Sequence, residues 1–239
     1  MNESGDMTFL EHLESLRFVI LKILVAYILL FIPAWIFSEP LIDRLLDFAA
    51  PPGFKLHYFS LMEPFFIRMK MSAVLDLFAS LPFALYFIWS FISPGLFETE
   101  RRILRLPFIL SLFLALSGIA FALFFLLPAV VGFSLSFSGP RMDPVIGIDS
   151  FVSMILLLVL ACSVMFQFPL ILFGLLTTNV IKPETLTKQR PFFIVLILVI
   201  SAFLTPPDVI SQIMLALPAW LLFELSIFLF RLRKKNAEK

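Results

Sequence analysis

Charge is scarce in this 239-residue chain. Only 15% of its residues are Asp, Glu, Lys or Arg, against roughly 25% in a soluble domain. Hydrophobic residues make up 61%, Phe alone occurs 31 times, and mean hydropathy is +1.04. Together these exclude a water-solvated surface and define a polytopic membrane protein. Cysteine occurs once, as Cys162 inside an apolar run, which excludes a disulfide framework and reads as a small packing residue. Histidine occurs twice. His12 and His57 are expected on opposite sides of the bilayer, so they cannot share a metal. The sequence holds no Walker loop, no zinc-ligand spacing and no Ser/His/Asp arrangement, so it implies neither a cofactor nor an enzyme. A net charge of +1 carries no signal for a nucleic-acid partner. Repeats, low-complexity tracts and a soluble domain are also missing. The start, Met1–Asp6, is polar and acidic, unlike the basic start of a cleavable signal peptide, so the whole chain is expected to be mature protein.

What is present is a series of long apolar runs. Thr8 to Arg17 is amphipathic at helical spacing, with Phe9, Leu13 and Leu16 on one face and Glu11 and Glu14 towards another. A short cytoplasmic helix over 8–16, lying along the interface, is expected to feed the first span. The spans are expected at about 18–37, 63–89, 106–127, 150–176, 191–204 and 209–230. The fold class is therefore all-α: a single transmembrane domain over 1–239 with six helices, the fifth and sixth short. The fifth run, at 1.5 Å per residue, reaches only about 21 Å against a hydrocarbon core near 30 Å. Between the first two spans, Pro40–Phe48 reads as a short separate helix begun at a proline. Leu56 to Ser60 reads as extended, and Pro128 as the start of a second loop on the same side.

Orientation follows from Lys and Arg. With six spans, thirteen basic residues fall on the side of the N-terminus, the Ser93–Arg102 loop, the Lys182–Arg190 loop and the Arg231–Lys235 tail. Arg44, Lys55 and Arg141 fall on the other, joined by Arg68 and Lys70 if the second span starts late, which makes five. The bias places both termini in the cytoplasm of a cell-membrane protein.

Two sets of polar residues carry chemistry. Glu11, Glu14, Glu98 and Glu100 lie at the cytoplasmic surface, where carboxylates accept bidentate hydrogen bonds from guanidinium groups. A peptide bearing paired arginines would suit them; the competing reading is local pairing with Arg17, Arg101, Arg102 and Arg105. The second set, Asp76, Gln167, Gln212 and Glu224, lies within the spans. Intramembrane polar groups either line an ion or proton path or close an interhelical network. A proton-coupled secondary transporter of small solutes, with Asp76 and Glu224 as carriers, is the alternative function. No repeat between the halves supports it.

Several motifs in order resemble the TatC family, the polytopic receptor subunit of the twin-arginine protein translocase. They are Glu11-His12-Leu13-Glu14-Ser15-Leu16-Arg17, Glu63-Pro64-Phe65-Phe66, and Phe91-Ile92-Ser93-Pro94-Gly95-Leu96 with Glu100-Arg101-Arg102. Further along come Phe166-Gln167-Phe168-Pro169, Lys188-Gln189-Arg190-Pro191, Thr205-Pro206-Pro207-Asp208 through Gln212, Leu217-Pro218, and Phe223-Glu224. The resemblance runs nearly end to end. It implies six helices in a concave bundle, recognition of twin-arginine signal peptides on folded cargo, and transport driven by the proton-motive force. It implies single-span Tat subunits of the TatA/TatB type and further copies of this chain as partners. Glu100 matches the family glutamate that contacts the arginine pair, Phe91 matches an aromatic near that site, and Arg17 shapes its surface. The family's N-terminal motif reads His-Leu-x-Glu-Leu-Arg, whereas here Ser15 holds the glutamate position and Glu14 precedes it. Gln167 stands where many members have glutamate. Thr205 and Gln212 match polar groups that dock the single-span partners.

Overall fold

A computed structural model of the protein describes residues 9–50, 55–92, 105–137, 145–177, 183–204 and 209–237. The chain divides into two compact units, one of residues 1–43 and 68–112, the other of residues 44–67 and 113–239.

The first unit is built on the greater part of two long helices, α1 (Phe9–Ala49) up to Asp43 and α2 (Glu63–Ile92) from Arg68. Along α1, Ser15, Val19, Ile23, Tyr27 and Leu30 form a half-buried stripe at helical spacing, while Leu24, Ile28, Leu29 and Ile32 project outward. Apolar residues on all faces of a helix suit acyl-chain solvent. The two helices run antiparallel. Arg68 pairs with Glu39 at 3.0 Å and lies over the Trp35 ring at 4.8 Å. The Tyr27 hydroxyl donates to the Ala73 carbonyl at 3.4 Å, and Lys22 Nζ lies 5.9 Å from the Phe87 ring centre.

Two expected helix ends are not where the prolines suggested. The first helix does not stop at Phe37 and restart at Pro40. It continues through Pro33 and Pro40 to Ala49, and near Pro40 the Ser38 hydroxyl and Arg68 both donate to the Trp35 carbonyl, at 2.8 and 3.4 Å. The third apolar run also passes its expected end. It forms α3 (Arg105–Phe121), a π-helical stretch at Ala122–Leu126, and α4 (Leu127–Ser136). Pro128 falls in the first turn of α4, where a missing N–H costs least, and the wider π register absorbs the shift.

In the second unit, β1 (Leu56–His57) pairs in parallel with β2 (Ile146–Gly147), Leu56 opposite Ile146 and His57 opposite Gly147. Then come α5 (Ile148–Met165), α6 (Phe168–Thr177), α7 (Pro183–Lys188), α8 (Arg190–Leu204) and α9 (Val209–Ala237). The core lies along α5, where Val152, Ile155, Leu158 and Cys162 are fully buried, and at Phe223 of α9, stacked on Phe193 at 5.1 Å. A Cβ added to Gly118 would stand 2.7 Å from the Cys162 carbonyl oxygen and 2.8 Å from Ser163 Cα, so α3 crosses α5 backbone to backbone. Among the described residues, five helical segments are long and apolar enough to span a bilayer, and α8, at 15 residues, is a further, shorter apolar helix.

Candidate functional site

The α1–α2 register locates one cluster of the expected site residues. From the Lys22–Phe87 contact, Arg17 lies about 7 Å further along α1 in one direction, and Phe91 about 6 Å further along antiparallel α2 in the same direction. Glu14 is one helical turn beyond Arg17's level. Glu14 and Arg17 are exposed, and Phe91 is half-buried. Ser15 belongs to the half-buried stripe of α1, and its neighbour Glu14 is turned about 100° away from it. The carboxylate this chain possesses is therefore the one that faces out. An exposed carboxylate one helical turn from an exposed guanidinium can accept hydrogen bonds from an incoming cation. Glu100, Glu98, Glu11 and Thr205 lie outside the residues whose side chains are described.

The intramembrane polar residues do not share one environment. Asp76, in the first unit, is buried, and neither carboxylate oxygen has a hydrogen-bond partner among the described residues. Gln167 sits in the turn between α5 and α6. Its N–H bonds the Val164 carbonyl at 3.0 Å, and its own carbonyl accepts from Leu170 and Ile171 at 3.0 and 3.2 Å. Gln212 Nε2 donates to the Leu198 carbonyl at 3.0 Å and ties α9 to α8 near their joint. Glu224 accepts from Arg190 Nη2 at 2.7 Å.

The Arg190–Glu224 pair was hidden in the sequence. Nothing in a 34-residue separation announces it, although both residues lie in motifs singled out above. It joins the first residue of α8 to α9, closing the helical hairpin at the end away from the Gln212 bond. Glu224→Lys should lower stability by about 1 kcal/mol, the upper end for a partly exposed pair, and the double exchange with Arg190→Glu should recover most of it. Thermal unfolding of the detergent-solubilised variants reads this, and a double variant no better than Glu224→Lys would remove the pair from the account. The Arg68–Glu39–Trp35 cluster was hidden for the same reason: each partner was visible, but the juxtaposition was not.

The comparisons with known proteins agree with this architecture. The family profile for Sec-independent protein translocase protein (TatC) matches residues 11–218. The Sec-independent protein translocase protein TatC of Carboxydothermus hydrogenoformans is 35% identical over 235 residues, 97% of this chain and 96% of its own length. That of Escherichia coli K12 is 32% identical over 239 residues, 97% of this chain and 91% of its own length. A crystal structure of the twin arginine translocase receptor TatC in DDM superposes with a TM-score of 0.83 at 33% identity, covering 92% of this chain and 99% of that one. With a match across nearly its whole length, in both sequence and fold, the chain belongs to the TatC family of Sec-independent protein translocase proteins.

Proposed function

We propose that this translocase component recognises the twin-arginine signal peptides of folded proteins at the cytoplasmic face and nucleates the translocation complex. One observation carries the reading: the α1–α2 register brings exposed Glu14 and Arg17 to the same end as Phe91. Glu100 is the main anchor for the signal arginines. Glu14 supplies the second carboxylate from a position the helix leaves open. The family profile and the receptor named in the matching crystal structure support the same reading.

The component is a multi-pass membrane protein that works with other Tat subunits and signal-peptide cargo. Single-span subunits of the TatA/TatB type and further copies of this chain complete the complex. Thr205 and Gln212 mark the docking edge for the single-span subunits. The basic-residue bias puts both termini in the cytoplasm of the cell membrane. The solute-transporter reading loses support because Glu224, one of its two carriers, is engaged by Arg190.

The experiment is a binding titration. The purified chain in nanodiscs should bind a fluorescent signal peptide carrying the Arg-Arg pair. Exchanging both arginines for lysine keeps the charge but removes the bidentate fork, and should weaken binding at least about tenfold, the equivalent of 1.4 kcal/mol. Equal affinity for the two peptides would refute the recognition reading.

A further inference from the structure

We propose that the turn Tyr58–Met62 is a membrane anchor, with its apolar side chains inserted into the lipid on the bilayer face where α2 and α5 begin. This inference is independent of the signal-peptide site.

The turn exposes a contiguous set of apolar side chains. Tyr58, Phe59 and Met62 are 61–69% exposed, and Leu61 is 96% exposed. Phe65 and Phe66, on the first turn of α2, continue the patch, and a shallow groove runs among Tyr58, Phe59, Ser60, Leu61 and Pro64. A water-facing loop of a membrane protein has no reason to present such a run.

The turn is nevertheless tightly built. The Phe59 N–H donates to both carboxylate oxygens of Glu63 at 3.1 Å. The Met62 N–H donates to the Ser60 hydroxyl at 3.4 Å, and the Glu63 N–H to the Ser60 carbonyl at 3.3 Å. The Phe59 ring rests on Gly147, where an added Cβ would stand 2.8 Å from it. These bonds satisfy the Phe59, Met62 and Glu63 N–H groups and spend the Glu63 carboxylate on the turn itself, which lowers the cost of holding irregular backbone at headgroup depth, where water still reaches the remaining polar groups.

Its position agrees. Met62 precedes Glu63, the first residue of the α2 candidate span, and β1 is paired with β2, which leads directly into Ile148, the first residue of the α5 span. The turn is therefore held at the level where two spans start. Exposed Lys55 and His57 flank it. A Tyr- and Phe-bearing apolar tip beside Lys55 is the composition of an interfacial anchor, with the rings at headgroup depth and the ammonium beside phosphates.

The test uses the full chain carrying Leu61→Cys, labelled with a nitroxide, in phosphatidylcholine/phosphatidylglycerol vesicles. Leu61 makes so little contact that the fold should be untouched, which size-exclusion chromatography checks before reconstitution. The expected result is loss of collisions with a water-soluble nickel chelate and gain of collisions with oxygen, relative to the same label on a water-soluble peptide. A label that meets the nickel chelate as freely as on that peptide overturns the proposal. Spectral broadening that grows with protein density in the vesicles assigns the patch to a second copy of this chain, and also overturns it.

Discussion

Gly118→Leu is expected to abolish the native bundle. At this crossing the α3 backbone lies against the α5 backbone, and even the first side-chain carbon would stand 2.7–2.9 Å from Cys162 and Ser163 main-chain atoms. Main chain cannot rotate away as a side chain can, so the helices must separate. The buried residues nearby, Ala115 on α3, Ala122 at the start of the π-helical stretch, and Ala161 and Cys162 on α5, would then lose the close approach that small residues provide. Gly118→Ala should cost about 1–3 kcal/mol, as overpacked cores do, and leucine more than that. Gly132 is the internal control. It lies on α4, and a Cβ there meets nothing within 4 Å. Gly132→Ala should be neutral, or stabilising by up to about 1 kcal/mol through helix propensity. Thermal unfolding and monodispersity after detergent extraction measure both. Equal behaviour of the two alanine variants would show that the α3–α5 crossing is not the determinant.

The second large effect concerns the arginine pair. Glu100→Gln should weaken binding of the twin-arginine peptide by about ten- to a hundredfold, because a charge-assisted hydrogen bond contributes about 1.5–3 kcal/mol. The Arg-to-Lys peptide should be much less affected, since it has no fork to lose. Glu14→Gln should act in the same direction but more weakly, and the two effects should be coupled if both carboxylates meet one peptide. Ser15→Glu should bring no gain, because position 15 belongs to the half-buried stripe of α1 and position 14 does not. A Glu100→Gln chain that retains full affinity while remaining folded would sink the assignment of that residue. A tighter-binding Ser15→Glu chain would instead show that Glu14 points away from the peptide.

The fold was legible where hydropathy alone decides it, and illegible where one residue's effect depends on a distant partner. The apolar runs located the spanning helices because a long, predominantly apolar run has few alternatives to a lipid-solvated helix. Prolines misled twice. Pro40 reads as a start and Pro128 as a stop, yet the chain passes both. The hydrogen bonds at Trp35 come partly from Arg68, 33 residues away, and the π register at Ala122–Leu126 leaves no composition signal. The same division holds for the candidate site. Glu14 was legible as a surface carboxylate and Arg17 and Phe91 through motif resemblance, whereas the register that relates them rests on Lys22 and Phe87, whose pairing no local pattern encodes. The extended reading of Leu56–Ser60 held only for the two residues that pair with β2, since the following turn is tied to Glu63 instead.

Cys162 has a consequence beyond packing. It is the chain's one thiol, it is fully buried, and Gly118 lies over its backbone. Maleimides and methanethiosulfonates in water or lipid therefore have no route to it in the folded protein. The natural chain presents a surface that is silent to thiol chemistry. Any cysteine placed on that surface would report from its own position without removal of the native one, and reactivity appearing at Cys162 itself would mark the moment when α3 and α5 part.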